Sequence, residues 1–285
     1  MEIQSIPAWL WGRFNGAAMS VGAASPEDYW RRADASAPAT IRHIRLGDLG
    51  AALRQGLADF TANRTDVLFL CLVYPVIGLV LGRLASGYNM IPLLFPLVSG
   101  FALVGPIAAI GLNEMSRRRE MGAEIGWTDA FAVLRAPSIG AIALLSLVLL
   151  CLFLAWLWAA SAIYDSTLGP LPPLSMTAFV QDVLTTHAGR VMIGVGMLVG
   201  FLFAVVVLAI SVVSFPLLLD RHASFLDAIT TSLRAMLANP GPLAAWGLIV
   251  AVGLVLGSLP MFLGLIVVMP VLGHATWHLY RKLIR

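Results

Sequence analysis

The sequence predicts an all-α membrane protein: six transmembrane helices paired as three hairpins, each preceded by an interfacial amphipathic helix. Three observations predict it. Of the 285 residues, 59% are hydrophobic and 12% charged, with a mean hydropathy of +0.89. A soluble domain carries about 25% charged residues, so this chain has too little polar surface to coat a water-soluble globule. Six stretches are apolar over lengths near the roughly 20 helical residues that cross a bilayer core of about 30 Å. Finally, sixteen of the eighteen Lys and Arg residues fall on one side of the alternation those stretches impose.

Residues 1–40 differ in kind from the rest. A short aromatic patch, AWLWGRF with Trp9, Trp11 and Phe14, leads into a segment rich in Ala, Ser, Gly and Pro. It lacks the basic start and long apolar stretch of a cleavable signal peptide. The expectation is a disordered cytoplasmic tail, with a transmembrane domain over 41–285. The spans are expected near 66–85, 91–112, 139–164, 191–219, 241–258 and 260–280. SGYN at 86–89 separates the first two, and GSLP at 257–260 breaks the last forty apolar residues into a hairpin, as Gly and Pro do in turns. The cysteines, Cys71 and Cys151, both lie inside apolar runs, where a disulfide framework is not expected.

Arginine sets the orientation; Lys282 is the only lysine. Seven arginines precede the first span, four lie between spans two and three, two between spans four and five, and Arg281, Lys282 and Arg285 follow the sixth. Only Arg83 and Arg190 fall on the other side. The positive-inside rule then places both termini in the cytoplasm. Within this pattern SRRRE (116–120) is a stop-transfer anchor, because burying each arginine at the bilayer centre costs about 2.5–3.5 kcal/mol on insertion scales. As an anchor it needs only charge, so lysine should replace Arg117, Arg118 and Arg119 almost silently. Basic balance of this kind belongs to cytoplasmic loops and does not point to nucleic acid.

Each pair of spans is preceded by an amphipathic stretch with an acid at its start and Leu-Arg at its end: DLGAALR (48–54), DAFAVLR (129–135) and DAITTSLR (227–234). An acid in the first turn suits the helix dipole. Apolar faces of Leu49, Leu53 and Leu57, of Phe131, Val133 and Leu134, and of Ile229, Leu233 and Leu237 suit a membrane interface. Units one and three also share GLVLG, at 78–82 and 253–257, and a proline eleven residues before arginine: Pro106 to Arg117 and Pro270 to Arg281. Three parallel repeats about an axis along the membrane normal are one reading; the ordinary grammar of membrane hairpins is the other. The GxxxG pairs (Gly78/Gly82, Gly196/Gly200, Gly253/Gly257) allow close helix approach without identifying a dimer interface.

Chemistry is harder to find. The spans hold essentially no ionisable residue, whereas ion-coupled transporters, proton pumps and intramembrane enzymes place charge at membrane depth. GHATWHLYRK (273–282) sets His274 and His278 at i,i+4, a spacing that can bind metal. No HExxH glutamate accompanies them, and Trp277, His278 and Tyr280 also read as an aromatic belt. No catalytic, cofactor or metal site is therefore expected. The candidate contacts to partners or lipid headgroups are Glu114, Arg117, Arg118, Arg119, His274, His278 and Arg281.

FPLVSGFALVGPIAAIGLNEMSRRREMG (95–122), LADF…YPVIG before it and PVLGHATWHLYRK (270–282) resemble a bacterial integral-membrane family, domain of unknown function 2189. The likeness runs over roughly 40–283, with GPxxAxGLxExSRR as its core; Asn113 stands where the family usually has Tyr. The resemblance implies a bacterial inner-membrane protein with no established activity. Some members are labelled cytochrome-oxidase-like, but a haem-copper site needs several histidines on several helices. Two functions stay open: a non-enzymatic accessory or scaffold protein contacting the bilayer and other membrane proteins, and a passive transporter with a pore among the hairpins.

Overall fold

The computed structural model describes residues 39–62, 76, 83, 91–123, 125–221 and 223–285. The first expected span, SGYN, the first GLVLG, Cys71 and nearly all of the tail lie outside the described residues. What is described is helical, with no strand beyond a single antiparallel bridge between Ile41 and Ile284.

The helices follow in order. α1 is Leu46–Ala62. A 3₁₀ turn, Ile91–Leu93, leads into α2, Leu94–Ala108, and α3, Ile110–Glu120. A 3₁₀ helix, Trp127–Arg135, precedes α4, Ile139–Thr167. α5 (Met176–Thr185), α6 (His187–Ser211), α7 (Ser214–Arg221), α8 (Phe225–Ala238), α9 (Pro240–Ser258) and α10 (Leu265–Leu283) complete the chain.

Three stretches are long and apolar enough to cross a membrane: Ile139–Thr167, His187–Arg221 and Pro240–Ser258. They coincide with the third, fourth and fifth expected spans. The second and sixth are not of that kind. α2 has 15 residues, about 22 Å of helix, and α10 becomes polar in its second half, from His274 to Lys282. Helix α3 also continues to Glu120, so residues 113–120, expected to open a loop, are helical. α5 was not expected.

Prolines set the breaks. Pro106 withdraws one N–H from the ladder, and the helix is interrupted at Ala109 between α2 and α3. Pro216 does the same beyond α6. There the Ser232 hydroxyl of α8 enters the opened ladder, donating to the Ala209 carbonyl at 2.7 Å and accepting the Val213 N–H at 3.3 Å. A side chain inserted in this way is a recognised cause of a helix break. The last hairpin turns over residues 259–264, a few residues later than GSLP suggests. Met261 and Phe262 adopt φ of 51° and 66° there, a conformation costly for residues with a Cβ. Gly257 and Gly264 let the two arms meet; a Cβ on Gly264 would lie 2.8 Å from the Gly257 Cα. The second GLVLG therefore serves packing within the hairpin.

The three amphipathic stretches share one N-terminal device. Asp48, Asp129 and Asp227 are each the third residue of their helix. Asp48 accepts the Arg45 N–H at 2.8 Å and Asp129 the Gly126 N–H at 2.9 Å. Asp227 pairs with the Ser224 hydroxyl, which in turn accepts the Asp227 N–H at 3.1 Å. These bonds satisfy N–H groups that a helix start leaves open. The middle helix is 3₁₀ rather than α: its nine residues, set between Gly126 and Pro137, leave little length for α propagation. Each short helix packs against other helices of the bundle: Trp127–Arg135 on α3, α8 on α6 and α7, and α1 on α10.

The faces turned to the bundle are, apart from Leu49, other than the apolar faces expected along the membrane interface. α1 buries Leu49, Ala52, Gly56, Asp59 and Phe60, and α8 buries Ala228, Ser232 and Ala235. Leu57, Phe131, Leu134, Leu233 and Leu237 are exposed. Small residues win the inner face because they let helices approach. The core that results joins Leu145, Leu149 and Trp156 of α4 to Phe215 and Leu218 of α7, Trp246 of α9 and Leu279 of α10.

Gly56 is the tightest of these contacts: an added Cβ would lie 2.6 Å from the Ala275 nitrogen and 2.7 Å from the Val271 carbonyl. Gly56→Val is expected to cost about 1–3 kcal/mol or more by overpacking. Gly50→Ala, with nothing within 4 Å of the new methyl, should be neutral or slightly stabilising. Unfolding midpoints of the two variants in one detergent check this, and equal shifts would refute it.

Candidate functional site

At the end of the bundle where α1, α3 and α10 converge, polar side chains form a continuous layer. Its centre is Asp59, 7% exposed on the inner face of α1. Oδ2 accepts the Ser116 hydroxyl at 2.6 Å and lies 2.8 Å from His278 Nε2. Ser116 Oγ is also 2.8 Å from His274 Nδ1. Since Ser116 gives its single proton to Asp59, His274 donates to Ser116 through Nδ1–H. Among the described residues, its Nε2 and the Asn113 Oδ1 are buried with no hydrogen-bond partner within bonding geometry. Arg119 closes the group, with Nε 3.4 Å from Asp59 Oδ1 and Nη1 donating to the carbonyls of Ala58 and Asp59 at 3.3 and 3.4 Å. Those carbonyls lie near the C-terminal turn of α1, where a cation is favoured.

A second group surrounds Glu114, 4% exposed. Arg117 clasps it with Nε at 2.7 Å and Nη2 at 2.8 Å. Arg118 reaches the same carboxylate through Nε at 2.8 Å and Asp129 through Nη1 at 2.6 Å. A third group joins α3, α7 and α10. Arg281 lies 3.0 Å from Glu120 Oε1 and 3.4 Å from Asp220 Oδ2, Trp277 Nε1 donates to Glu120 at 3.0 Å, and the Tyr280 hydroxyl donates to Asp220 at 2.6 Å. Lys282 completes the layer, 3.5 Å from Asp48.

All seven candidate residues thus lie in this layer, but their partners change their reading. Trp277 and Tyr280 are 1% exposed each, so they are packed against protein and form no lipid-facing belt. His274 and His278 are both turned toward the Asp59–Ser116 pair. Among the described residues no group of three or more His, Cys, Asp or Glu is disposed to hold a metal ion. Ser116, 1% exposed, sits between carboxylate and imidazole and gives its proton to the carboxylate, and that order ties the helices together. The sequence reading missed Asp59, Ser116, Glu120 and Asp220. For Asp59 a signal existed: it continues the Leu49, Ala52, Gly56 spacing of a buried face, where an acid demands donors from elsewhere.

Burial pushes the Asp59 and Glu114 carboxyls up, and the groups around them more than reverse it. Hydrogen bonds from His278 and Ser116 hold Asp59 below its ordinary value of 3.8. Those from Arg117 and Arg118 hold Glu114 below 4.5.

The core motif of the earlier resemblance, and the arginines that ion-pair within it, fall in one segment. Residues 94–220 match the family model DUF2189, a predicted integral membrane protein. The match is shorter than the 40–283 of the resemblance. No curated protein and no solved structure matches the chain. The DUF2189 segment takes in α2 to α7 and contributes Glu114 to Glu120, Asp129 and Asp220. Asp59, His274, His278 and Arg281 reach the layer from outside it.

Two outcomes follow from this geometry. Because Arg118 bridges two carboxylates through a planar fork, which an ammonium does not reproduce, Arg118→Lys is not silent. It should cost about 0.5–1.5 kcal/mol with orientation unchanged, read as a lower unfolding midpoint at unaltered topology. Acid is the other test. Carboxyls depressed on folding contribute stability above their unfolded values, and that stability is lost as pH falls through the folded ones. The protein should weaken steadily as pH drops below about 4.5. In Asp59→Asn, itself weaker by roughly 1–3 kcal/mol at neutral pH, that slope should be shallower; an equal slope would remove Asp59 from the account.

Proposed function

We propose that the chain is a non-enzymatic accessory or scaffold protein of the bacterial inner (cytoplasmic) membrane, binding other membrane proteins through its helices and its polar layer. In this reading six helices cross as three hairpins, the short amphipathic helices lie along one interface, and both termini are cytoplasmic. The carrying observation is the division of labour among the described residues. The bundle interior is filled by Leu, Trp and Phe, and the buried charges are neutralised against one another at one end. A packed interior supports a protein that holds and is held, more than one that passes a solute. Arg119 and Arg281, with side chains 37% and 42% exposed, are the members of the layer best placed to meet a partner. Neither catalysis nor nucleic-acid binding forms part of the reading.

A passive pathway is the second reading, supported by the cyclic order in which the short helices pack on α3, on α6 and α7, and on α10. Affinity purification in gentle detergent, quantified by mass spectrometry, separates the two. The accessory reading expects a membrane protein at fixed stoichiometry that is lost from Arg281→Glu, while a cysteine introduced as Arg118→Cys still labels from the cytoplasm. No such partner, together with solute flux in proteoliposomes that scales with protein, would replace it by the pathway.

A further inference from the structure

Among the described residues some arginines are held by carboxylates, and others, Arg42, Arg45, Arg190 and Arg285 included, are exposed without an ion pair. Arg117, Arg118, Arg119 and Arg281 are held by carboxylates. Arg54, Arg135 and Arg234 are exposed and make no ion pair among the described residues. These three close the Leu-Arg ends of the amphipathic repeats, six, six and seven residues after Asp48, Asp129 and Asp227.

Each short helix is divided into sectors. α1 turns Leu49, Ala52 and Gly56 to the bundle and exposes Leu46 and Leu57 on a flank. At about 100° per residue, Arg54 lies on the far edge of that flank. α8 keeps the same order but turned further round the helix, with Ala228, Ser232 and Ala235 inward, Leu233 and Leu237 exposed and Arg234 beyond them. In the 3₁₀ helix Ala130 is inward, Phe131 and Leu134 are exposed, and Arg135 follows. Leu237 is 81% and Leu134 64% exposed. Water would leave such apolar surface uncompensated, whereas the upper acyl region accepts it and places the adjoining guanidinium at phosphate level.

The nearby acids do not neutralise these arginines. Asp48 is committed to the Arg45 N–H and Lys282, Asp129 to the Gly126 N–H and Arg118, and Asp227 to Ser224. A guanidinium lacking a carboxylate matches a phosphate diester in charge and in its paired donors. Lipid is also the occupant available at three separate places around one bundle. We propose that Arg54, Arg135 and Arg234, each with its neighbouring exposed leucine, form three equivalent headgroup sites for anionic phospholipid. The proposal rests on the reading that the three short helices lie along one membrane face. It moves lipid contact away from the Arg117–Arg119 triplet, which Glu114, Asp129 and Asp59 already occupy.

The test uses the full chain in nanodiscs of phosphatidylcholine with increasing phosphatidylglycerol, followed by native mass spectrometry of retained lipid. The wild type should keep phosphatidylglycerol selectively, and R54Q/R135Q/R234Q should lose up to three such lipids. Each single variant should weaken its site by about fivefold, the equivalent of about 1 kcal/mol. The triple Lys variant, which keeps the charge, should retain part of the selectivity. Equal retention by wild type and the triple Gln variant overturns the proposal. So does equal stabilisation of detergent-solubilised wild type by inorganic phosphate, which would make these free-anion sites. Arg54→Cys, Arg135→Cys and Arg234→Cys labelling from opposite sides would instead refute the one-face reading beneath it; same-side labelling with unchanged lipid counts would sink the lipid sites alone.

Discussion

The approach of α1 to α10 is the contact on which the polar layer depends. Gly56 lies so close to the backbone at Val271 and Ala275 that the two helices share one surface, and this sets Asp59 into the interior a turn later. A carboxylate taken out of water is tolerated only where donors meet it. Ser116 must come from α3, His278 from α10 and Arg119 from the last turn of α3. The position of α3 is therefore fixed by the needs of one acid on a different helix. Glu114, a turn before Arg117 and Arg118, is placed by the same docking and in turn reaches Asp129 through Arg118.

What could be read from the sequence was what is local. The spans at 139–164, 191–219 and 241–258 declare themselves because uninterrupted apolar runs leave helix as the one way to satisfy backbone groups in lipid. The third-position acids were legible for a similar reason: their partners lie three residues away. Pro216 announced an end near it, though not the Ser232 hydroxyl that fills the break. The small residues on the inner faces of α1 and α8 were not legible, because hydropathy ranks leucine above glycine and alanine while close packing ranks them the other way. The partners of Glu114, Asp59 and Arg281 were hidden by separation along the chain. Ser116 and His274 are 158 residues apart, and no periodicity carries a signal across that distance. SRRRE consequently looked like an anchor that any cation could serve, when its spacing also matches three carboxylates, two of them on other elements.

The three amphipathic units are alike at their starts and diverge in what they bind. Asp48 finds Lys282, Asp129 finds Arg118 and Asp227 turns to its own Ser224. The difference follows from the helix on which each unit packs. α10 and α3 end in runs of cations, whereas α7 ends in Asp220 and Arg221, and Asp220 is engaged with Tyr280 and Arg281. The third unit compensates with small polar residues, Ser232 and Ser214 bonding into carbonyls across the contact. Similar beginnings thus support two kinds of joint, one ionic and one built on hydroxyls.

The pairing of Asp59 with His278 spans 219 positions, and that of Ile44 with Asn239 spans 195. Ribosomes add about 5–20 residues per second, so α1 waits roughly 10–40 s for the helix that receives it. Through that interval its inner face has no counterpart, and Asp59 keeps its hydration. Assembly thus includes a docking step that draws α1 onto a helix made some two hundred residues later, and any factor that shields newly made membrane proteins must cover α1 through that interval.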